Sequence, residues 1–314
     1  MSETHSASTL PAYRSQLYMG AALAVIATLI WSGNFIIARG VIHDIPPVSL
    51  AFFRWLTASV LMLPLAWKQL RAEWPVVIKN PVYFLWTALT GVALFNTFVY
   101  IAGHYSPAIN LALIGTTSSP ILAILLARIF LKEKITGLRI AGLTLCITGI
   151  LYLLSAGSFH KLITFQFGRG DAWILAGALA FAIYNILVRK KPSGISAQNF
   201  LFIIFSTGTL MLLPFTLAEQ ADSPAIEWTW PLAGVILYLG LGTSVIAFLC
   251  WNAAIVRLGA ARTALFGNLI PIFSSLEALW LLMEKITLLH LVSGMLVVGG
   301  LIIANITRRV APDG

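Results

Sequence analysis

Ten apolar stretches, each near the twenty residues that a helix needs to cross an apolar core of about 30 Å, are set off along this chain by short polar connections. They cover residues 17–38, 48–67, 82–102, 108–131, 137–155, 172–188, 199–218, 231–250, 261–283 and 288–306. Several connections, among them 103–107, have room only for tight turns, and only 156–170 reads as a linker. The pattern predicts an all-α polytopic membrane protein of ten transmembrane helices. Residues 1–16 form a polar N-terminal tail, 17–155 a first half, 156–170 the linker, 171–306 a second half and 307–314 a C-terminal tail. The first apolar run is not followed by a plausible cleavage site, so it is expected to stay as a span rather than leave as a signal peptide.

The two halves repeat. Pro120 to Thr136 (PILAILLARIFLKEKIT) returns 151 positions later as Pro271 to Thr287 (PIFSSLEALWLLMEKIT), with nine of seventeen positions identical. At the same offset Asn34 falls on Asn185, Gly91 on Gly242, Glu133 on Glu284 and Gly149 on Gly300. A period of this length marks a duplicated unit. Each unit holds five spans, and because five is odd the second must enter the membrane from the opposite side. The expectation is a 5+5 inverted repeat, with a substrate site near the midplane where the halves meet.

Composition moves the chain further from the soluble class: 59% of residues are hydrophobic and 10% charged, against roughly 45–50% and 25% in soluble domains. The net charge of +9 suggests topology rather than a nucleic-acid partner, because the basic residues lie singly or in small groups between apolar runs. With the N-terminus inside, thirteen Lys and Arg fall in cytoplasmic segments and four in outer loops, which places both termini in the cytoplasm. Cys146 and Cys250 sit inside apolar runs and support neither a disulfide framework nor a metal site.

Polar residues at depth are the candidates for chemistry. Pro120 and Pro271 lie near mid-membrane, where a proline frees the carbonyl four residues earlier, here those of Thr116 and Gly267. Beside them stand Thr117 and Ser118 in one copy and Asn268 in the other. Such groups must find a protein partner or line a wet cavity, so the prolines read either as hinges beside a polar cavity or as ordinary kinks. Asn34 and Asn185 should face protein or water, as interhelical bridges or substrate contacts. Trp31, some fourteen residues into its span, is the preferred aromatic wall of a cavity. Phe95 and Tyr184 are further aromatic candidates; Tyr100 and Trp251, near the ends of their helices, are candidates for the same wall or for interfacial anchors. Arg54 and Glu277 sit about seven residues from the outer ends of their spans, a depth that permits an ion pair; a protonatable coupling site at Glu277 is the rival reading. Glu133 and Glu284 should cap or orient the helices that follow them. Gly142 and Gly149, with Ser293 and Gly300, make small-residue stripes for close packing, against each other or against another protomer.

The WSGNF run at Trp31–Phe35, the Pro46-Pro47 pair with Arg54 behind it, and P-x(12)-E-x-I in both halves resemble the drug/metabolite transporter superfamily, specifically its ten-helix EamA-type branch. Within it the chain is similar to bacterial YddG-type exporters of aromatic and other neutral amino acids. Family motifs usually place Gly directly after the tryptophan, where Ser32 intervenes here. The resemblance implies two EamA repeats, a central cavity lined by helices 1, 3, 4, 6, 8 and 9, alternating access, and a place in the bacterial inner membrane. A small-molecule substrate and membrane lipid are the partners expected. The oligomeric state is left open. The chain has no HExxH, no pair of intramembrane aspartates and no GxxxxGK[ST] loop, so no enzyme chemistry, metal, cofactor or direct use of ATP is expected.

Overall fold

The structure, a computed structural model, describes residues 9–41, 44–105, 108–164, 167–282 and 288–306. Among these residues the regular structure is all helical, joined by turns and loops, with no β-strand. Ten long helices follow one another: α1 (Thr9–Gly40), α2 (Pro47–Lys79), α3 (Pro81–Tyr105), α4 (Ala108–Phe130), α5 (Gly137–Leu154), α6 (Arg169–Arg189), α7 (Ala197–Ala221), α8 (Trp230–Leu258), α9 (260–282) and α10 (Leu288–Asn305). Six, namely α1, α2, α3, α6, α7 and α8, are long and apolar enough within the described residues to cross a membrane; α4, α5 and α10 contribute shorter apolar stretches.

Three boundaries differ from expectation. α1 begins at Thr9, inside the stretch read as a polar tail. α2 runs 33 residues to Lys79 rather than ending near Trp67; at 1.5 Å per residue it is about 50 Å long, so its last turns project beyond the apolar core. The linker holds a short helix, Phe159–Ile163. In each case helix satisfies backbone groups that a polar sequence had suggested would meet water.

The halves pack as a twofold. α5 lies on α10 and α2 on α7, while the cross-pairs come in matched sets: α4 on α6 as α9 on α1, and the second part of α3 on α6 as the second part of α8 on α1. On the axis, residues meet their own counterparts. The Cys146 thiol donates to the Val297 carbonyl at 3.3 Å, 151 positions away. In α2 and α7 the offset that superposes Pro64 on Pro214 is 150, and at that offset Ser59 meets Thr209 at 3.4 Å and Trp55 packs on Phe205 with ring centroids 4.8 Å apart. The small-residue stripes therefore serve the two halves of one chain. A Cβ on Gly142 would lie 2.4 Å from the Gly300 carbonyl oxygen, and one on Gly149 would lie 3.0 Å from that of Ser293. Residue i meets j where j meets i, as in any twofold contact.

The same reciprocity appears at the membrane faces. The α2 N-terminus is capped by Glu219 of α7, which accepts from the amides of Val48 (3.0 Å) and Ser49 (2.6 Å). The α7 N-terminus is capped by Glu73 of α2, which accepts from the Ser196 amide (2.9 Å) and hydroxyl (3.0 Å) and from the Asn199 side chain (2.9 Å). Each carboxylate meets orphan N–H groups and the positive end of a helix dipole.

α3 and α8 each widen into a π-helical segment, Leu89–Leu94 and Tyr238–Ile246, at matching positions in the repeat. Such segments concentrate at functional sites.

Because the obstacle at Gly300 is backbone (the Gly142 carbonyl, 2.6 Å from its added Cβ), Gly300→Val should lower the thermal midpoint of the purified protein in detergent, with a loss of at least about 1–3 kcal/mol. Gly294→Ala, on the same helix with nothing within 4 Å, should not. Equal midpoints for the two variants would contradict this packing.

Candidate functional site

Four consecutive residues of α1 each reach a different neighbour. Trp31 donates its indole N–H to the Thr243 carbonyl at 2.8 Å. The Ser32 hydroxyl meets Glu277 of α9 at 2.6 Å. Gly33 leaves space for Tyr238 of α8, whose hydroxyl would stand 2.6 Å from a Cβ placed there. Asn34 faces Arg54, its Oδ1 lying 3.5 Å from Nη1. Successive helical residues point about 100° apart, which is why a short run can address three helices.

Arg54 is the centre of the polar cluster in the half of the bundle that contains Asn34. It is 1% exposed and its donors reach four acceptors within 3.5 Å besides Asn34: the Ser244 hydroxyl at 2.7 Å, the Asn96 side chain at 2.8 Å, the Tyr100 hydroxyl at 2.9 Å and the Thr243 carbonyl at 3.4 Å. The guanidinium also lies 4.9 Å from the Trp55 ring centroid. All of these acceptors are neutral. The expected ion pair with Glu277 is not formed; among the described residues the salt bridge joins Arg139 to Glu133 at 3.7 Å. Equal depth is not contact, because Arg54 turns toward α3 and α8 while Glu277 turns toward α1.

The π-helical segment of α8 explains the Thr243 carbonyl. There the amide of Ala247 bonds to the Gly242 and Ser244 carbonyls and not to that of Thr243, which leaves the Thr243 carbonyl for Trp31 and Arg54 together. The widened turn thus ties the polar cluster to an aromatic one. Trp31 packs against Phe181, Phe248 and Trp251 with ring centroids 5.7, 5.6 and 4.9 Å away. Phe95 stacks on Phe181 at 4.5 Å, and Phe181 on Tyr184 at 5.7 Å. Tyr184 itself fills the space beside Gly91, where a Cβ would lie 2.2 Å from its ring.

In the other half of the bundle Trp251 donates to the Asn185 side chain at 2.8 Å and Tyr184 to the Asn252 side chain at 2.7 Å. Tyr100 and Trp251, repeat counterparts that had also been candidates for interfacial anchors, are 7% and 2% exposed; both are interior. Each sits beside the asparagine of its own half, Trp251 directly on Asn185 and Tyr100 on Asn34 through Arg54.

The remaining candidates divide. The 3₁₀ turn Gly267–Leu269 interrupts α9 four residues before Pro271, and in it the Gly267 carbonyl accepts the Ile270 amide. The carbonyl expected to be freed is therefore engaged, though Gly267 itself borders open space. Asn268 is fully buried beside the Cys146 thiol. Ser118 turns its hydroxyl back to the Ile114 carbonyl. α4 stays α-helical through Pro120. The side chains of Thr116 and Thr117, and Glu284 altogether, lie outside the described residues. Asn96, Thr243, Ser244, Asn252 and Phe181 were missed by sequence reasoning; the amide at 96 inside an apolar run was the signal available, whereas Asn252 falls just past the end of the 231–250 stretch and nothing in the sequence marks a π-helical carbonyl.

Two like bundles of five helices, meeting around buried polar and aromatic clusters at the centre of a polytopic membrane protein, define the transporter class. Residues 18–155 and 168–306 each match the EamA-like transporter family. The chain belongs to that family, within the drug/metabolite transporter superfamily. It is 26% identical over 283 residues to an uncharacterized transporter of Archaeoglobus fulgidus, covering 88% of this chain and 94% of the relative. It is 24% identical over 288 residues to a probable amino-acid metabolite efflux pump of Salmonella typhimurium, covering 90% and 93%. A solved crystal structure superposes with a TM-score of 0.70 at 19% identity, covering 93% of this chain and 96% of that one; at that identity the likeness speaks for the fold.

Lysine keeps the charge at position 54 but not the planar fork. Arg54→Lys should therefore destabilise the protein in detergent by about 1.5–3 kcal/mol, the worth of one charge-assisted hydrogen bond, read as a lower thermal midpoint. An unchanged midpoint would show that the fork is not what holds α1, α2, α3 and α8 together.

Proposed function

We propose that the protein is a secondary carrier of the bacterial inner membrane that exports neutral amino acids, aromatic ones included, and related small metabolites by alternating access. The observation that carries this reading is the pairing of two clusters related by the repeat: Asn34 beside Arg54 and Tyr100 in one half, Asn185 beneath Trp251 in the other, with the Trp31 aromatic cluster between them. Exchanging which cluster is closed would open the centre to one face and then the other.

The chemistry suits a zwitterion. The side-chain N–H groups of Asn96, Asn185 and Asn252 are buried without hydrogen-bond partners, and an unmade bond of this kind costs about 1–3 kcal/mol. A substrate carboxylate is an acceptor that would remove that penalty, and Phe95, Phe181 and Trp251 offer apolar faces to its side chain. Pro271 and the 3₁₀ turn before it are the natural hinge in α9, with Pro120 its counterpart in α4. The amino-acid efflux relative supports the substrate class, and transport family membership supports a carrier over an enzyme.

Counterflow of labelled leucine, phenylalanine and threonine in proteoliposomes tests the reading. Trp31→Phe keeps an aromatic ring but removes the donor to Thr243. It should slow counterflow by about tenfold, equivalent to about 1.4 kcal/mol, while the protein still inserts and purifies normally. Full-speed counterflow by this variant, or none by the parent with any of the three, would count against the proposal.

A further inference from the structure

Glu277 poses a problem of proton counting. The Ser32 hydroxyl oxygen lies 2.5 Å from the Leu29 carbonyl oxygen and 2.6 Å from Glu277 Oε1. A serine hydroxyl carries one proton, and an ionised carboxylate carries none. With Glu277 ionised, three oxygens would share a single proton. With Glu277 protonated both contacts are hydrogen bonds: Ser32 donates to Leu29, and the carboxyl donates to Ser32.

The surroundings agree. Among the described residues Glu277 Oε2 is buried with no donor, a poor setting for a charged oxygen, and no lysine or arginine forms an ion pair with it. From α8, Tyr238 approaches the same point beside Gly33, but its hydroxyl donates to the Ile30 carbonyl at 2.8 Å. From α2, Arg54 is occupied by neutral acceptors. Beside Ser32 from α1, Ser274 of α9 bonds the Ser32 carbonyl at 3.1 Å. Arg128 of α4 and Tyr18 of α1 lie near the far ends of their helices; the side chains of Arg39 on α1 and His290 on α10 lie outside the described residues.

We propose that Glu277 is the proton site of this carrier, protonated in the conformation seen here, and that transport is exchange of a proton for substrate. The proton leaves Glu277 to cytoplasmic water in the inward-open state, the Ser32 hydroxyl turns from Leu29 to the resulting carboxylate, and the proton is replaced from the outer side as substrate departs. One proton enters for each substrate exported. This rests on the carrier reading above, but its first test does not depend on the substrate.

Infrared spectra of the protein in lipid at pH 7 should contain a carboxylic acid C=O band that is absent from Glu277→Gln and shifted in Ser32→Ala, which loses the hydroxyl partner. In proteoliposomes loaded with a pH-sensitive dye, a leucine gradient should drive proton movement in the parent. In Glu277→Gln that movement should fall by about tenfold or more. A band unchanged in both variants, or a parent that counterflows leucine without moving protons, overturns the proposal. A parent that counterflows none of the neutral amino acids sinks the substrate reading instead, and the infrared band still decides the proton site. Should Glu277→Gln fail to insert, the Ser32→Ala shift carries the test.

Discussion

In hydrocarbon a polar atom has no water as an alternative partner, and every part of this structure answers to that constraint. It is why Arg54, the largest charged side chain fully buried among the described residues, is surrounded by hydroxyls, amides and a backbone carbonyl. A cation at that depth without a counter-ion has to be distributed over many neutral dipoles, and those dipoles come from several helices. The guanidinium consequently acts as a brace among α1, α2, α3 and α8.

The duplicated fold carries unequal chemistry. The backbone repeats faithfully, down to π-helical segments at matching positions in α3 and α8, yet Arg54 answers to Ile204 at the offset of α2 and α7, and Asn96 to Ala247. One half closes over its asparagine through a charged, multiply bonded brace, and the other through a single indole hydrogen bond from Trp251. Two closures that differ this much in bonding are not equally easy to open.

Glu277 and the Trp31–Asn34 run show how close the sequence came to the site and where it stopped. That run drew attention because an amide and a tryptophan lay deep in a span, and each of its residues does meet a partner on another helix. The partners themselves were mostly invisible. Arg54 and Glu277 lay at equal depth and invited pairing, but helix rotation sends one toward α3 and α8 and the other toward α1. The Gly267 carbonyl looked free by the rule for proline, and a 3₁₀ turn took it up. Asn252, beside Trp251, went unremarked because it falls past the end of the 231–250 stretch, whereas the helix continues to Leu258.

What the sequence determined by itself was everything that depends on counting: the number of apolar stretches, the 151-residue repeat, and from five spans per repeat the inversion of one half against the other. Spacing also foretold that Gly142, Gly149, Ser293 and Gly300 would allow backbones to touch. Only the tertiary structure decided that the touching backbones are α5 and α10 of one chain, that Thr243 offers its carbonyl to both Trp31 and Arg54, and that Ser32 stands between Leu29 and Glu277. Those facts depend on the rotation of each helix about its own axis and on the π-helical widening of α8 at Tyr238–Ile246. Both are set by the sum of packing contacts from several neighbours, a quantity no local pattern contains.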